Sequence, residues 1–577
     1  MIGAIARSRR LTRAALALIL VVAATLRLAG LEWDDGTRLH PDERFLTMVT
    51  VALGRGALAP SGPDAAARTT ACRARYPHSN GVGPWLDTAC SDLAPPNVGY
   101  AFFPYGILPA ATVSAVGRGL ERLGLKQASS YAEVPTLGRI AATLADLVTL
   151  ACTFALGSAL GGRRAGLVAA ALYALAPLPL QLARFYTVDP FATAFAALGL
   201  VVAWRAIHRG RIADLCAFGI AIGLATACKL SLAPLVALAV PIGLLAPMRP
   251  GGGMPSLRAG TLRALGATVV AVAVAFATFR VAQPTLFAGP GLVDIAWDTR
   301  ALASLQELAR MIDGGADTPP AWQWIGRLRG LEPLRNLLVD GLGPAFALAA
   351  VAGLALSVQR VFSGPLFRHR ATALILVATL GYGAFVFAPF VSSMRYALPL
   401  VPLFAALAGS ALVVAAARLR RRVHVAAALP ALAVVVGAVV AAAWLAIPLS
   451  APTRVWASHW LLERASAAVS APLAGESGAF PRRVNWPADG VVEAAGASRP
   501  VRTTVTSGGS IDRLELRVAP DAGTATSIAW FRWAARRSPT RLTQNPAIRA
   551  STQPTCFSAP RRRAAARDSS PRWQRRR

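Results

Sequence analysis

An all-α polytopic membrane protein is the fold class this sequence predicts, and three observations predict it. Hydrophobic residues fill 55% of the 577 positions, charged residues only 15%, and the mean hydropathy is +0.48. The apolar residues recur in blocks of about 17 to 25, long enough to cross a bilayer as helix. Basic residues gather in alternate connections, the asymmetry that orients membrane helices. A formal net charge of +32 would suggest a nucleic-acid partner in a soluble protein. Distributed loop by loop it marks one side of a membrane, and no nucleic-acid partner is expected.

Taken in order, about eleven spans are predicted, at 11–29, 139–160, 164–182, 188–206, 213–229, 231–247, 262–280, 338–358, 371–391, 395–417 and 424–447. Arg7, Arg9, Arg10 and Arg13 precede the first apolar run, Ala14 to Leu26, and acidic residues follow it in place of a small-residue cleavage site, so the first span reads as a retained anchor. With the N-terminus cytoplasmic, the inner loops carry Arg163-Arg164, Arg205 to Arg211, Arg249 to Arg263, Arg360 to Arg370 and Arg418 to Arg422. The opposite, extracytoplasmic face of a plasma (inner) membrane then receives Asp42, Glu43, Asp189, the loop 281–337 and everything after about residue 448.

That alternation holds if residues 98–118 do not cross. The Phe102-Phe103-Pro104-Tyr105 start and the polar Arg118, Glu121 and Arg122 predict a helix on the outer surface, within a first outer loop spanning 30–138. The alternative is an ordinary span paired with another miscounted one. Cys72 and Cys90 share this loop, where an oxidising compartment would permit a disulfide; Cys152, Cys216 and Cys228 fall in apolar helices as small core residues. No Cys/His spacing resembles a zinc site, and no metal or other cofactor is expected.

Beyond the membrane domain, 1–450, residues 451–535 predict a small extracytoplasmic module. It opens with an amphipathic helix over 453–466 and continues with short strands at Val501 to Val505, Leu514 to Val518 and Ser527 to Trp530, an α/β or β-rich unit. Residues 536–577, rich in Arg, Ser and Pro, predict a disordered basic tail with no site.

The candidate chemistry lies on the outer face. His40-Pro41-Asp42-Glu43-Arg44 places two adjacent carboxylates just beyond a span, where carboxylates are costly unless they are used. Asp42 could serve as a general base on a hydroxyl or amine; an acidic pair at a helix N-terminus is the competing reading. Arg184-Phe185-Tyr186-Thr187-Val188-Asp189-Pro190 brings a guanidinium, a phenol and a second carboxylate to one turn, although an Asp before Pro is commonly a cap or turn residue. Lys229 and Arg395 stand at the outer ends of spans, where snorkelling to the interface competes with an anionic partner. Carboxylates and cations enclosed by apolar helices fit a lipid-linked phosphate as leaving group. Lys229, Arg395 and Arg184 would neutralise it, and one base would suffice for an inverting displacement. In the loop 281–337, Trp297, Trp322 and Trp324 with Asp294, Asp298, Glu307, Asp313 and Asp317 read either as interfacial anchors or as a sugar-binding surface.

The ordered set of an N-terminal span, an outer Asp-Glu, Gly138-Arg139, Arg184-x-Tyr-Thr-x-Asp189, Thr226-x-x-Lys229 and Arg395-Tyr-x-x-Pro399 resembles the GT-C glycosyltransferases over roughly residues 10–465. Within them it looks like the protein O-mannosyltransferase and aminoarabinose transferase group, which uses polyprenyl-phosphate sugars. The resemblance implies Asp42 as the acceptor-activating carboxylate with Glu43 beside it, Asp189 as a second acid, and Lys229 and Arg395 as phosphate contacts. His40, Tyr105, Tyr186 and Tyr396 are expected to line the substrate site. The surface helix departs from the group's usual Lys-Pro-Pro or His-Pro-Pro-Leu element, having Phe103-Pro104-Tyr105-Gly106-Ile107-Leu108-Pro109 instead. The partners implied are a polyprenyl-phosphate sugar donor, membrane lipids and a protein, lipid or glycan acceptor. The rival class is a multi-pass transporter or flippase; against it, the sequence has no evident internal repeat or paired broken helices, and its charges cluster at one face.

Overall fold

The computed structural model describes residues 2–55, 65–77, 83–246, 257–315, 319–419, 428–450, 452–457, 465–470 and 513–518. Among the described residues each segment expected to span is largely helical, and eight helices are long and apolar enough to cross a membrane. The expected count of eleven differs for a local reason. Helix Val134–Leu175 runs through two expected spans, broken at Gly161 and Gly162, where Gly162 takes φ 78°, a backbone turn that disfavours any side chain. The segments expected at 213–229 and 231–247 form the 17-residue helix Ile212–Cys228 and then a 3₁₀ segment, Leu230–Leu238, leading into Ala239–Leu245. Pro234 inside the 3₁₀ segment removes a backbone donor and favours the tighter turn.

Small residues let these helices approach closely, as is usual where lipid supplies no hydrophobic drive between them. Ala169, Ala170 and Gly166 of Val134–Leu175 are buried with Ala405, Ala406, Ala408 and Gly409 of Val401–Leu419. The first helix, Ile2–Leu28, is tied in by charge as well: Arg27 pairs with Asp146, which also accepts from the Tyr173 hydroxyl at 2.6 Å. A fully buried Arg–Asp pair inside a span is a costly arrangement unless both ends are satisfied. The apolar pattern that predicts an anchor in this helix does not reveal the pair.

The elements expected on the outer face differ from expectation in one place and agree in others. The surface helix expected over 98–118 runs instead from Ile107 to Arg122, because Pro104 and an extended stretch precede it. With 16 residues and Arg118, Glu121 and Arg122 at its end, it is not among the helices fit to span. The Gly106 N–H donates to the Cys228 carbonyl and the Ile107 N–H to Gln283 Oε1, which anchors the helix start to the ends of helices Ile212–Cys228 and Leu257–Ala282. Cys72 and Cys90 form a disulfide across this loop.

A second unit contains the strands Ala465–Ser470 and Arg513–Val518, which pair antiparallel with Ala465 opposite Val518. The strand predicted at Leu514 to Val518 is present. Ala465 begins a strand where the helix expected over 453–466 should have continued; residues 453–457 are helical. The strands expected at Val501 to Val505 and Ser527 to Trp530, and the tail 536–577, lie outside the described residues.

Candidate active site

The Asp-Glu pair opens a helix rather than preceding one. Helix Pro41–Ala52 starts with Pro at its first position, where the missing N–H costs nothing, and His40 caps it: Nδ1 accepts the Glu43 N–H at 3.2 Å. Both carboxylates fall in the first turn, favoured by the helix dipole. Their side chains then part company. Glu43 is fully buried and receives both forks of Arg139, at 2.7 and 2.9 Å, and the Tyr186 N–H at 3.0 Å. Arg139 also reaches Asp34 at 3.0 Å and the Leu31 carbonyl at 2.7 Å. With its lone pairs occupied and no solvent access, Glu43 serves as an anchor of the site.

Asp42 points the other way, with 23% of its side chain exposed, and pairs with Arg395. Asp189, in the first turn of helix Val188–Arg209, pairs with Lys229 at 2.6 Å. Lys229 can reach it because helix Ile212–Cys228 ends there: Lys229 is extended, its N–H closing the last turn on Ala225. Arg395 lies in the 3₁₀ turn Met394–Leu400 that precedes helix Val401–Leu419. Both cations stand over one ring, that of Tyr396, Lys229 Nζ at 4.4 Å and the Arg395 guanidinium carbon at 5.4 Å from its centroid. Asp42 and Asp189 line one small cavity together with Leu46, Tyr105, Thr187 and Val188. The four charged residues predicted from the sequence thus converge at one place.

Burial pushes the Tyr105 phenol above its ordinary value, so at neutral pH it presents an O–H to the cavity. Its ring packs in a cluster with Phe45, Phe103 and Tyr100. Burial likewise lowers the His40 imidazole below the usual histidine value, against the opposing pull of Asp42 and Glu43. Since Nδ1 accepts a backbone donor, the neutral ring carries its proton on Nε2. Above the ordinary histidine pKa both folded and unfolded chains hold His40 neutral; as pH falls, the unfolded chain binds the proton first, and stability is lost until the lower folded-state value is reached. His40→Ala should therefore cost about 0.5–2 kcal/mol of capping at neutral pH and flatten the acid limb of a thermal-unfolding profile. Parallel acid limbs for both proteins would contradict this.

Three expected site residues have other tasks. Arg184 is 1% exposed and turns its guanidinium to the carbonyls of Leu26, Ala29 and Leu180, over the Trp444 ring at 5.1 Å. It joins the first helix to the Tyr186 turn instead of facing a phosphate. Tyr186 is fully buried, its hydroxyl 2.8 Å from that of Thr50. Glu43 is the third, as described. Conversely, Arg139 and Asp34 were missed, although one signal was present: Gly138-Arg139. A Cβ on Gly138 would lie 2.2 Å from the Tyr186 ring, so glycine admits the ring while the next residue holds Glu43.

Among the described residues of the loop 281–337, no carboxylate pairs with this cluster. Asp298 caps helix Thr299–Ile312, and Asp294 accepts the Gly291 N–H at 2.7 Å. Trp297 stacks on Phe287, and it and Trp322 remain about half exposed.

Residues 134–279, which include Arg139, Asp189 and Lys229, match the family described as dolichyl-phosphate-mannose-protein mannosyltransferase. The matched segment takes in Gly138-Arg139, the Arg184 to Asp189 turn and Thr226-x-x-Lys229 from the ordered motifs, and leaves Asp42-Glu43 and Arg395 to Pro399 outside it. No curated protein matches the chain in sequence. Among solved structures, the oligosaccharyltransferase of Archaeoglobus fulgidus with zinc and sulfate is 15% identical, with 78% of this chain and 55% of that one covered and a TM-score of 0.48. The same organism's AglB with an inhibitory peptide and a dolichol-phosphate is 13% identical, covering 79% and 58%, TM-score 0.48. ArnT from Cupriavidus metallidurans bound to undecaprenyl phosphate is 16% identical, covering 70% and 75%, TM-score 0.37. This chain thus spans just over half the length of the archaeal proteins it resembles.

Proposed function

We propose that this chain, with its GT-C family segment at 134–279, is a membrane glycosyltransferase that moves a sugar from a polyprenyl-phosphate donor to an acceptor on the extracytoplasmic side. The observation that carries the reading is the meeting of two carboxylates at one cavity rimmed by helix ends, each paired with a cation that stands over the Tyr396 ring. Asp42, the more open carboxylate, takes the proton of the acceptor hydroxyl or amine. The acceptor atom forms its bond to the sugar C1 as the C1–O bond to phosphate breaks, and that electron pair leaves on the phosphate. Lys229 and Arg395 neutralise the charge that develops there. A single displacement inverts the configuration at C1, by analogy with inverting glycosidases. Asp189 holds Lys229 in reach.

The active site and C-terminus are outside, in a multi-pass protein of a plasma membrane whose N-terminus is cytoplasmic. The arginine-rich alternate loops and the Cys72–Cys90 disulfide in the first outer loop support that orientation.

The test uses purified full-length protein in detergent with radiolabelled polyprenyl-phosphate sugars. Release of free polyprenyl phosphate together with a labelled acceptor is expected. Transport of lipid across proteoliposomes with no sugar release from any donor would replace this reading with a flippase.

A further inference from the structure

A base ready to act should be free, and neither carboxylate in this cavity is. Asp42 is held by Arg395 and Asp189 by Lys229 at 2.6 Å. A cation hydrogen-bonded to a carboxylate competes for the lone pairs that must accept the proton. The same two cations are the groups assigned above to the donor phosphate, and they share the Tyr396 ring, so a ligand that attracts one meets the other. Side-chain exposures of 19% for Lys229 and 26% for Arg395 leave both within reach of an incoming anion, whereas Glu43 and Arg139 at 0% and 1% are closed to exchange.

We propose that these two ion pairs are exchange partners: a phosphate oxyanion reaching the partly exposed Lys229 and Arg395 draws them off Asp189 and Asp42, and only then is Asp42 free to take a proton. The inference rests on the donor-phosphate reading and adds an order to it, donor before acceptor. With no donor bound, Arg395 keeps the base covered, which also keeps water in the cavity from being activated. The donor phosphodiester offers two non-bridging oxygens, one to each cation, and gains further negative charge as the bond to C1 breaks. Departure of the polyprenyl phosphate returns the cations to the carboxylates and covers the base again.

The consequence is unusual for site carboxylates: removing their charge should strengthen phosphate binding. Equilibrium binding of polyprenyl phosphate, inorganic phosphate and neutral polyprenol is measured for the unmodified protein, Asp42→Asn and Asp189→Asn. Each variant is expected to bind polyprenyl phosphate roughly two- to fivefold more tightly, the range of a partly exposed ion pair, with polyprenol unchanged. The same direction with inorganic phosphate assigns the effect to any phosphate; an effect confined to the lipid assigns it to a headgroup anchored by its tail. In the unmodified protein, saturating polyprenyl phosphate should raise carbodiimide labelling of Asp42 at least twofold over polyprenol, a readout independent of how the variants fold. Unchanged or weaker binding in the variants, or flat labelling of Asp42, overturns the exchange. None of these measurements needs sugar transfer, so a failed transfer assay would remove the enzyme reading and leave this result standing on its own.

Discussion

Asp42→Asn is expected to slow sugar transfer by about 10²–10⁴-fold, the usual contribution of a positioned general base. The amide keeps the shape and the helix N-terminal position of the carboxylate, so the fold should survive. The loss should appear in the rate constant while donor affinity is kept or tightened, because Arg395 and Lys229 remain to hold the phosphate and Arg395 no longer has a carboxylate at position 42 competing for it. Glu43 cannot substitute from the adjacent position: both its oxygens are occupied by Arg139 and it has no exposed surface. Single-turnover rates and donor binding measured side by side separate the two effects. Transfer within tenfold of the unmodified rate would move the base elsewhere, with Asp189 the next carboxylate on the cavity.

Arg139→Met should be the most destabilising single change at the site. It removes the shared partner of Glu43 and Asp34, leaving buried Glu43 with no cation and buried Asp34 with only the more distant Arg38 at 3.9 Å, against a typical cost of about 3–5 kcal/mol for breaking one buried pair. Glu43→Gln should cost less, since Arg139 keeps Asp34 and the Leu31 carbonyl. The order of the two variants, read as the thermal midpoint and the yield of monodisperse protein, checks the scaffold assignment independently of any chemistry. Equal midpoints for Arg139→Met and unmodified protein would mean that helix Pro41–Ala52 is held to Val134–Leu175 by packing alone. The damage should also reach Asp42, because the bond between Glu43 and the Tyr186 N–H fixes the first turn of one helix against the turn before Asp189.

The helical membrane architecture was legible in the chain because burial in lipid imposes a length and an apolar composition on each span, and both are local properties. So were the four residues Asp42, Asp189, Lys229 and Arg395: charge beside a span is costly, and that cost shows without knowing what the charge touches. The side-chain directions were not legible. Asp42 and Glu43 are neighbours with the same charge, yet the roughly 100° turn per residue of a helix sends one to the cavity and the other to Arg139, almost a hundred positions away. Arg184 likewise has the charge expected of a phosphate contact, yet its partners are carbonyls at the end of the first helix and just beyond it. The kink at Gly161 and Gly162 and the 3₁₀ segment at Leu230–Leu238 blurred the span count for a related reason: hydropathy records that a segment is apolar, while where its backbone turns depends on the helices packed against it. Composition and pattern therefore settled which solvent the chain lives in and which charges are exceptional; which of those charges are paired, and with whom, followed from contacts between segments far apart in sequence.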